Sequence, residues 1–145
     1  MELSFEDWHD IIDTVNRYAE ALDSRNWKLL NDVFVADAVD HSGGRLMRGR
    51  ESMVTNIQAH LGGCGPSQHL LGNFKVQLES AAVASCVCRV RVYHVGLGER
   101  AQLDPFECWG FYHWRLAKRQ EGWRITDRTL DVAIRRGDIN VLQPG

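Results

Sequence analysis

Apolar side chains recur every three or four residues up to about residue 61 and every second residue from 67 onward, and no other feature limits the fold of this chain so much. A three-and-four rhythm buries one face of a helix, and a rhythm of two buries one face of a strand. In the first part, Trp8, Ile11, Ile12, Val15, Tyr18, Ala19 and Leu22 form one apolar stripe, opened by Ser4 and Asp7 in a capping-box-like pair. A second short helix is expected over Trp27–Phe34, followed by a small hairpin turning at Gly43-Gly44. ESMVTNIQAHL then reads as a third helix, with Met53, Ile57 and Leu61 on one side and Gly62-Gly63 as its stop. Beyond residue 67, QHLLGNFKVQLE, AVASCVCRVRVYHV, FECWGFYHWRLAKR and GWRITDRTLDVAI read as four strands, the last two joined through QEG. Long strands after segregated helices imply an α+β fold in which the helices cover one face of a curved antiparallel sheet. A single domain over residues 1–145 is expected, with CGPS and GLGERAQLDP as loops and the tail after Gly137 as a loose end.

Charge narrows the partners. The net charge is −2 with both signs interspersed, so no basic field exists to hold a nucleic acid or an anionic membrane. The start, MELSFEDWHD, is acidic and lacks an apolar core segment, which argues against a secretory or transit peptide and for a cytoplasmic protein. Cysteines stand at 64, 86, 88 and 108 without a CxxC pair, and small buried hydrophobes in a reducing compartment are preferred over a disulfide or zinc site. His41, His69 and His94 show no HxH or HExxH spacing, so no metal is expected. GGRLMRGRE lacks the spacing of a phosphate-binding loop, and Arg135-Arg136 and LAKRQEGWR read as solvated ends of the last hairpin.

One residue is out of place. Asp23 closes the first helix, where the partial negative charge of the helix end makes an acid unfavourable by roughly 0.3–1 kcal/mol. Either it or Ser24 caps the following helix, or Asp23 serves a site. His69 opens the first long strand. Strict alternation separates it from Phe74, Val76 and Leu78, whereas a bulge at Gly72 would carry it onto their face; a satisfied core or rim histidine is the rival reading. His94 shares parity with Ala82, Ala84, Cys86, Cys88, Val90 and Val92, a row of small side chains that either leaves room for a ligand or packs beneath a helix. Tyr112 and Trp114 share parity with Cys108 and Gly110 and would wall the same cavity. Trp109, Phe111 and His113 point the other way, and covering that second aromatic face calls for self-association. His41 follows Asp40 at a strand end and reads as a solvated turn residue.

Taken in order, the helix ending RYAEALDSRNW, the D-A-V strand, the G-R-E opening of a helix, the strand beginning SQHLLGNFKV and the hairpin GFYHWRLAKRQEGWRI form a recognisable series. It resembles the SnoaL-like members of the NTF2-like superfamily, in particular the branch with scytalone dehydratase, bile acid 7α-dehydratase and lindane dehydrochlorinase. The resemblance covers about residues 5–134. It implies a cone-shaped α+β barrel around a mostly apolar pocket, usually without metal or organic cofactor. It also implies a dyad of a helix-terminal aspartate and a strand-opening histidine, positions held here by Asp23 and His69. Tyr18 matches a tyrosine of the dehydratase-like members, His94 lies near a second acid/base group, and His41 stands where a substrate-facing tyrosine often occurs. An arginine that some members carry on the last strand is absent from the matching position, Val132, which speaks against a substrate with a carboxylate or thioester handle.

The activity so implied is a cofactor-independent, dehydratase-type elimination on a small, cyclic, mostly apolar or aromatic molecule. Asp23 would orient His69 as general base, with Tyr18 and His94 donating to a carbonyl or leaving hydroxyl. A ketosteroid-isomerase-like isomerase or a polyketide cyclase would use the same parts. The fold also serves non-catalytic binding modules and oxygenase small subunits. Relatives are commonly trimers, so a homo-oligomer, trimer or dimer, is expected.

Overall fold

The computed structural model describes residues 1–142. Helix α1 spans Phe5–Asp23 and starts at Ser4, whose side chain accepts from the amide of Asp7. Its stripe is buried at Ile11, Val15, Tyr18 and Leu22, and each of the three aliphatic side chains among them contributes about 1.5–3 kcal/mol on burial. The first turns also hold the far end of the chain. Asp10 accepts from the amide of Trp123, Asp7 from its indole N–H, and Thr14 donates to its carbonyl oxygen.

Residues Trp27–Asp32 form a 3₁₀ helix, shorter and tighter than the helix expected to reach Phe34. Strand β1 (Phe34–Asp40) and the two-residue β2 (Met47–Arg48) make the small hairpin, turning where Gly43 and Gly44 adopt φ of +65° and +71°. Helix α2 (Arg50–Leu61) follows, with Met53, Ile57 and Leu61 buried and Gly62 at its end. The four long strands are β3 (Ser67–Ser80), β4 (Val83–His94), β5 (Phe106–Arg119) and β6 (Gly122–Arg136).

They form one six-stranded sheet in the order β2-β1-β6-β5-β4-β3. The sheet is curved and unclosed, with α1 packed on β3 and β6 and α2 on β1. One pairing departs from the antiparallel expectation: β1 runs parallel to β6, because the chain crosses the whole sheet between them. As far as Leu142 the tail after Gly137 also departs from expectation, while residues 143–145 of that expected loose end lie outside the described residues. Residues Ile139–Leu142 form a 3₁₀ turn that buries Val141 completely.

Three irregularities decide which side chains face inward. In β3 the register shifts between Gly72 and Lys75. The residue in the left-handed region there is Asn73 (φ +55°), one of the few side-chain types that tolerate it. The inward set accordingly changes from Ser67, His69 and Leu71 to Phe74, Val76 and Leu78. In β6, Ile125 pairs with Leu116 and Asp127 with Arg115, which leaves Thr126 unpaired. The inward set therefore moves from Trp123 and Ile125 to Arg128, Leu130 and Val132. A second shift, opposite Trp109 and Gly110, leaves Ala133 unpaired. Among the described residues, no helix is long and apolar enough to cross a membrane.

Candidate active site

The sheet and the two helices surround a cavity of about 380 Å³, lined by apolar side chains such as Leu22, Ile57, Leu61, Val92, Phe106 and Leu130. Two polar clusters enter it from different strands. The first lies where α1 ends against the start of β3. The Asp23 carboxylate accepts from the Ser67 hydroxyl at 2.9 Å, the His69 amide at 2.7 Å and His69 Nδ1 at 2.6 Å. Burial pushes the Asp23 carboxyl upward, but the bonds and charge of His69 and the Ser67 hydroxyl outweigh it and hold the group below the usual carboxylate range. An ionised carboxylate only accepts, so the ring proton of His69 sits on Nδ1. Nε2, which has no protein partner among the described residues, carries the lone pair whenever the ring is neutral, and the ring lines the cavity.

His94 stands beside it, with ring centroids 5.8 Å apart and planes at 87°. Its Nδ1 lies 3.0 Å from the carbonyl oxygen of Phe106, which can only accept, so this ring also carries its proton on Nδ1. Burial pushes the His94 pKa down to about 4, with the Phe106 carbonyl pulling the other way. At neutral pH it is thus an uncharged imidazole whose Nε2 accepts. The expectation that His94 donates a hydrogen bond is corrected by this tautomer.

The second cluster joins β1, β6 and α1. Arg128 Nη1 lies 2.6 Å from Asp40 Oδ2, with both side chains about nine-tenths buried. Its guanidinium carbon sits 5.3 Å from the ring centres of both Tyr18 and Tyr112, a cation–π arrangement with two adjoining rings. Asp40 also accepts from the amide and hydroxyl of Ser42. Arg128 Nε, the Tyr18 hydroxyl and the Trp114 indole N–H are buried without a partner among the described residues. Unmade bonds of this kind are costly inside a protein. Tyr18 and Arg128 line the cavity, so these buried donors lie in its wall.

Of the residues singled out from the sequence, Tyr18, His69, His94, Val92, Cys108 and Tyr112 line the cavity, and Asp23 stands behind His69. Two do not reach it. Trp114 lies below the floor, its ring centre 5.0 Å from Tyr18 and 4.7 Å from Tyr112. His41 turns outward and places Nε2 3.1 Å from Asp127, so the place expected for it falls to its neighbours Asp40 and Ser42. The last strand also corrects an expectation. Val132 does line the cavity, but Arg128, four positions earlier, reaches in as well because Thr126 is bulged. Arg135, read as a solvated end, is exposed at the cavity rim. Ser67 was legible in principle, since it lies two residues before His69 on the same face of β3; nothing in the local pattern marks Asp40 or Arg128. All four cysteines are buried free thiols, and no group of three or more His, Cys, Asp or Glu side chains placed to hold a metal ion occurs among the described residues.

Comparison with known proteins places this geometry in context. Residues 4–129 match the model of the SnoaL-like domain. No curated protein matches the chain at a significant level. Among solved structures, a candidate aromatic ring hydroxylase from Novosphingobium aromaticivorans superposes with a TM-score of 0.86 at 23% identity, covering 98% of this chain and 100% of its own. A candidate scytalone dehydratase from the same species gives 0.81 at 18% identity, covering 94% and 91%. The type 3 hexachlorocyclohexane dehydrochlorinase of Novosphingobium barchaimii LL02 gives 0.78 at 14% identity, covering 90% and 88%. At these identities the likeness is one of fold.

Proposed function

The chain belongs to the SnoaL-like domain family, and from that premise we propose that it is an acid/base lyase that uses its own side chains on a small, cyclic, mostly apolar molecule. In this reading His69 Nε2 takes a proton from a ring carbon. The electron pair left behind forms a carbon–carbon double bond, and the leaving group departs with its bonding electrons toward Arg128 and Tyr18. Asp23 fixes the tautomer of His69 and stabilises the imidazolium that forms. A positioned base is worth about 10²–10⁴ in rate. A preorganised donor at the developing negative charge is worth about 2.7–4 kcal/mol. Two of the structural relatives carry the names of elimination enzymes, a dehydratase and a dehydrochlorinase. The observation that carries the reading is the 2.6 Å Asp23–His69 contact behind an imidazole nitrogen left unpartnered in an apolar cavity.

The unpartnered Arg128 Nε and Tyr18 hydroxyl favour a second reading too, because two donors suit a dienolate oxygen as well as a leaving group. The imidazolium would then return its proton to another carbon, giving isomerisation or ring closure. One experiment addresses both. A panel of cyclic alcohols, halides and enones is incubated with the protein in D₂O and followed by mass spectrometry. Elimination is expected with the wild type and not with His69→Ala; exchange of ring hydrogen for deuterium without loss of a group would favour isomerisation. Turnover by His69→Ala at the wild-type rate, or a panel that binds without reaction or exchange, would overturn the catalytic reading in favour of a binding module.

Self-association through the outer face of β5 is proposed alongside. There Arg89 lies 5.0 Å from the ring centre of Phe111 and Arg91 5.1 Å from that of Trp109, so a second copy would meet alternating guanidinium and aromatic groups. Light scattering that reports a monomer at micromolar concentration would overturn this. The four buried free thiols suit a reducing compartment such as the cytoplasm.

A further inference from the structure

The end of α1 is closed by an arginine where a glycine would serve better. The amide of Arg25 donates to Leu22 and that of Asn26 to Ala21, the paired bonds of a Schellman motif. Its left-handed position falls on Arg25, at φ +56°. Glycine adopts that conformation without hindrance, and an arginine does so only against a steric penalty. The backbone therefore gives no reason for this side chain, and its contacts do.

Arg25 Nη1 donates to the carbonyl of Leu22, the next-to-last residue of α1, and to Ser67 Oγ at 2.8 Å; Nη2 donates to the carbonyl of Gly65 at 2.6 Å. The guanidinium thus spans the two segments that supply Asp23 and His69. A serine hydroxyl has a single proton. With Arg25 occupying a lone pair of Ser67 Oγ, that proton is directed to Asp23 Oδ1, 2.9 Å away. The same Oδ1 receives His69 Nδ1, while Oδ2 receives the His69 amide, so the carboxylate cannot swivel without breaking all three bonds.

We propose that Arg25 is a positioning residue for His69, acting through Ser67 to lock the Asp23 carboxylate and with it the ring orientation and tautomer. The proposal rests on His69 being the base, but its test does not. Long-range ¹H–¹⁵N NMR of the His69 ring reports which nitrogen carries the proton whether or not a substrate is known.

Arg25→Gly keeps the left-handed backbone and deletes only the side chain; Ser67→Ala removes only the relayed proton and stands in should Arg25→Gly not fold. In the wild type the proton is expected on Nδ1, with a sharp, slowly exchanging resonance. In Arg25→Gly and Ser67→Ala that resonance should broaden and exchange at least tenfold faster, the two ¹⁵N shifts should converge as the second tautomer gains population, and Arg25→Lys should recover part of the loss. A folded Arg25→Gly or Ser67→Ala protein with an unchanged ring spectrum would overturn the proposal and leave the lyase reading standing. A changed spectrum in a protein that turns over no panel compound would leave the positioning role standing and remove the lyase reading.

Discussion

The two ends of the cavity use the same pairing, a carboxylate behind a nitrogen base, and present opposite chemistry to whatever lies between them. Asp23 backs His69 and Asp40 backs Arg128. An imidazole ordinarily titrates near neutrality, and a guanidinium stays charged at any pH a protein survives. With its Nδ1 proton tied to Asp23, the His69 ring in its neutral form turns a lone pair to the cavity, and neutral His94 does the same beside it. Arg128, with one Nη tied to Asp40, offers protons that cannot leave, next to the Tyr18 hydroxyl. A buried carboxylate alone therefore does not define a site. The group it holds decides whether that wall accepts or donates, and a cavity with one wall of each kind suits the removal of a proton at one side and of an electron-rich group at the other.

The contrast breaks most visibly if the histidine wall can be dismantled without consequence. His69→Ala and Asp23→Asn should each lower turnover by about 10²–10⁴, measured on any substrate the panel yields. Next in size is the arginine wall. Arg128→Met strands Asp40 in the interior and should cost about 3–5 kcal/mol in denaturant unfolding, and Arg128→Met with Asp40→Leu should recover most of it. Full recovery of stability without recovery of activity would separate the structural share of that pair from its chemical share.

Acid separates the two walls by a smaller effect. Burial holds the His94 pKa at about 4 in the folded protein, below its ordinary value of about 6.5. As pH falls, the unfolded chain takes up that proton first. The contribution of His94 is therefore complete above about pH 6.5 and is lost as pH drops toward 4, at up to about 1.4 kcal/mol per pH unit. Asp23, held below its ordinary 3.8, has its stabilisation complete above that value and loses it only in stronger acid. His94→Phe should flatten the upper part of a melting-temperature profile, while Arg128 variants should keep its slope. The smallest effect tests the bulge that aims His69. Asn73→Ala should cost about 1–2 kcal/mol at its positive φ, and Asn73→Gly should be close to neutral, by denaturant unfolding.

Most elements were legible from local rhythm because α1, α2 and β3–β6 each bury a face that repeats at the period of its own backbone. The parallel pairing of β1 with β6 was not, since a strand's pattern says nothing of its neighbour's direction. Nor was the tail, because its apolar residues, Ile139, Val141 and Leu142, are too few to show a period and only Val141 is buried as an anchor. Asp23 stood out because an acid at a helix end runs against the local field, and His69 could be joined to it only through a break in the alternation of β3. Arg128 was hidden by the same kind of break in β6, where Thr126 carries no mark of its own. Arg25 was hidden differently: a basic residue after a helix is ordinary, and only its φ shows that it is not. The tautomer of His94 depends on a carbonyl of the neighbouring strand, which no short-range pattern contains.

The bulge at Thr126 also bears on how such a sheet could keep its chemistry over generations. Loss of that one codon would straighten β6 without turning it over, because Asp127 would still pair with Arg115 and Arg128 with Trp114; Asp127 and Thr129 would reach the lumen only if the strand paired regularly with Thr126 retained. The bulge thus lets the strand gain or lose a residue at this point while the same side chains keep facing the cavity.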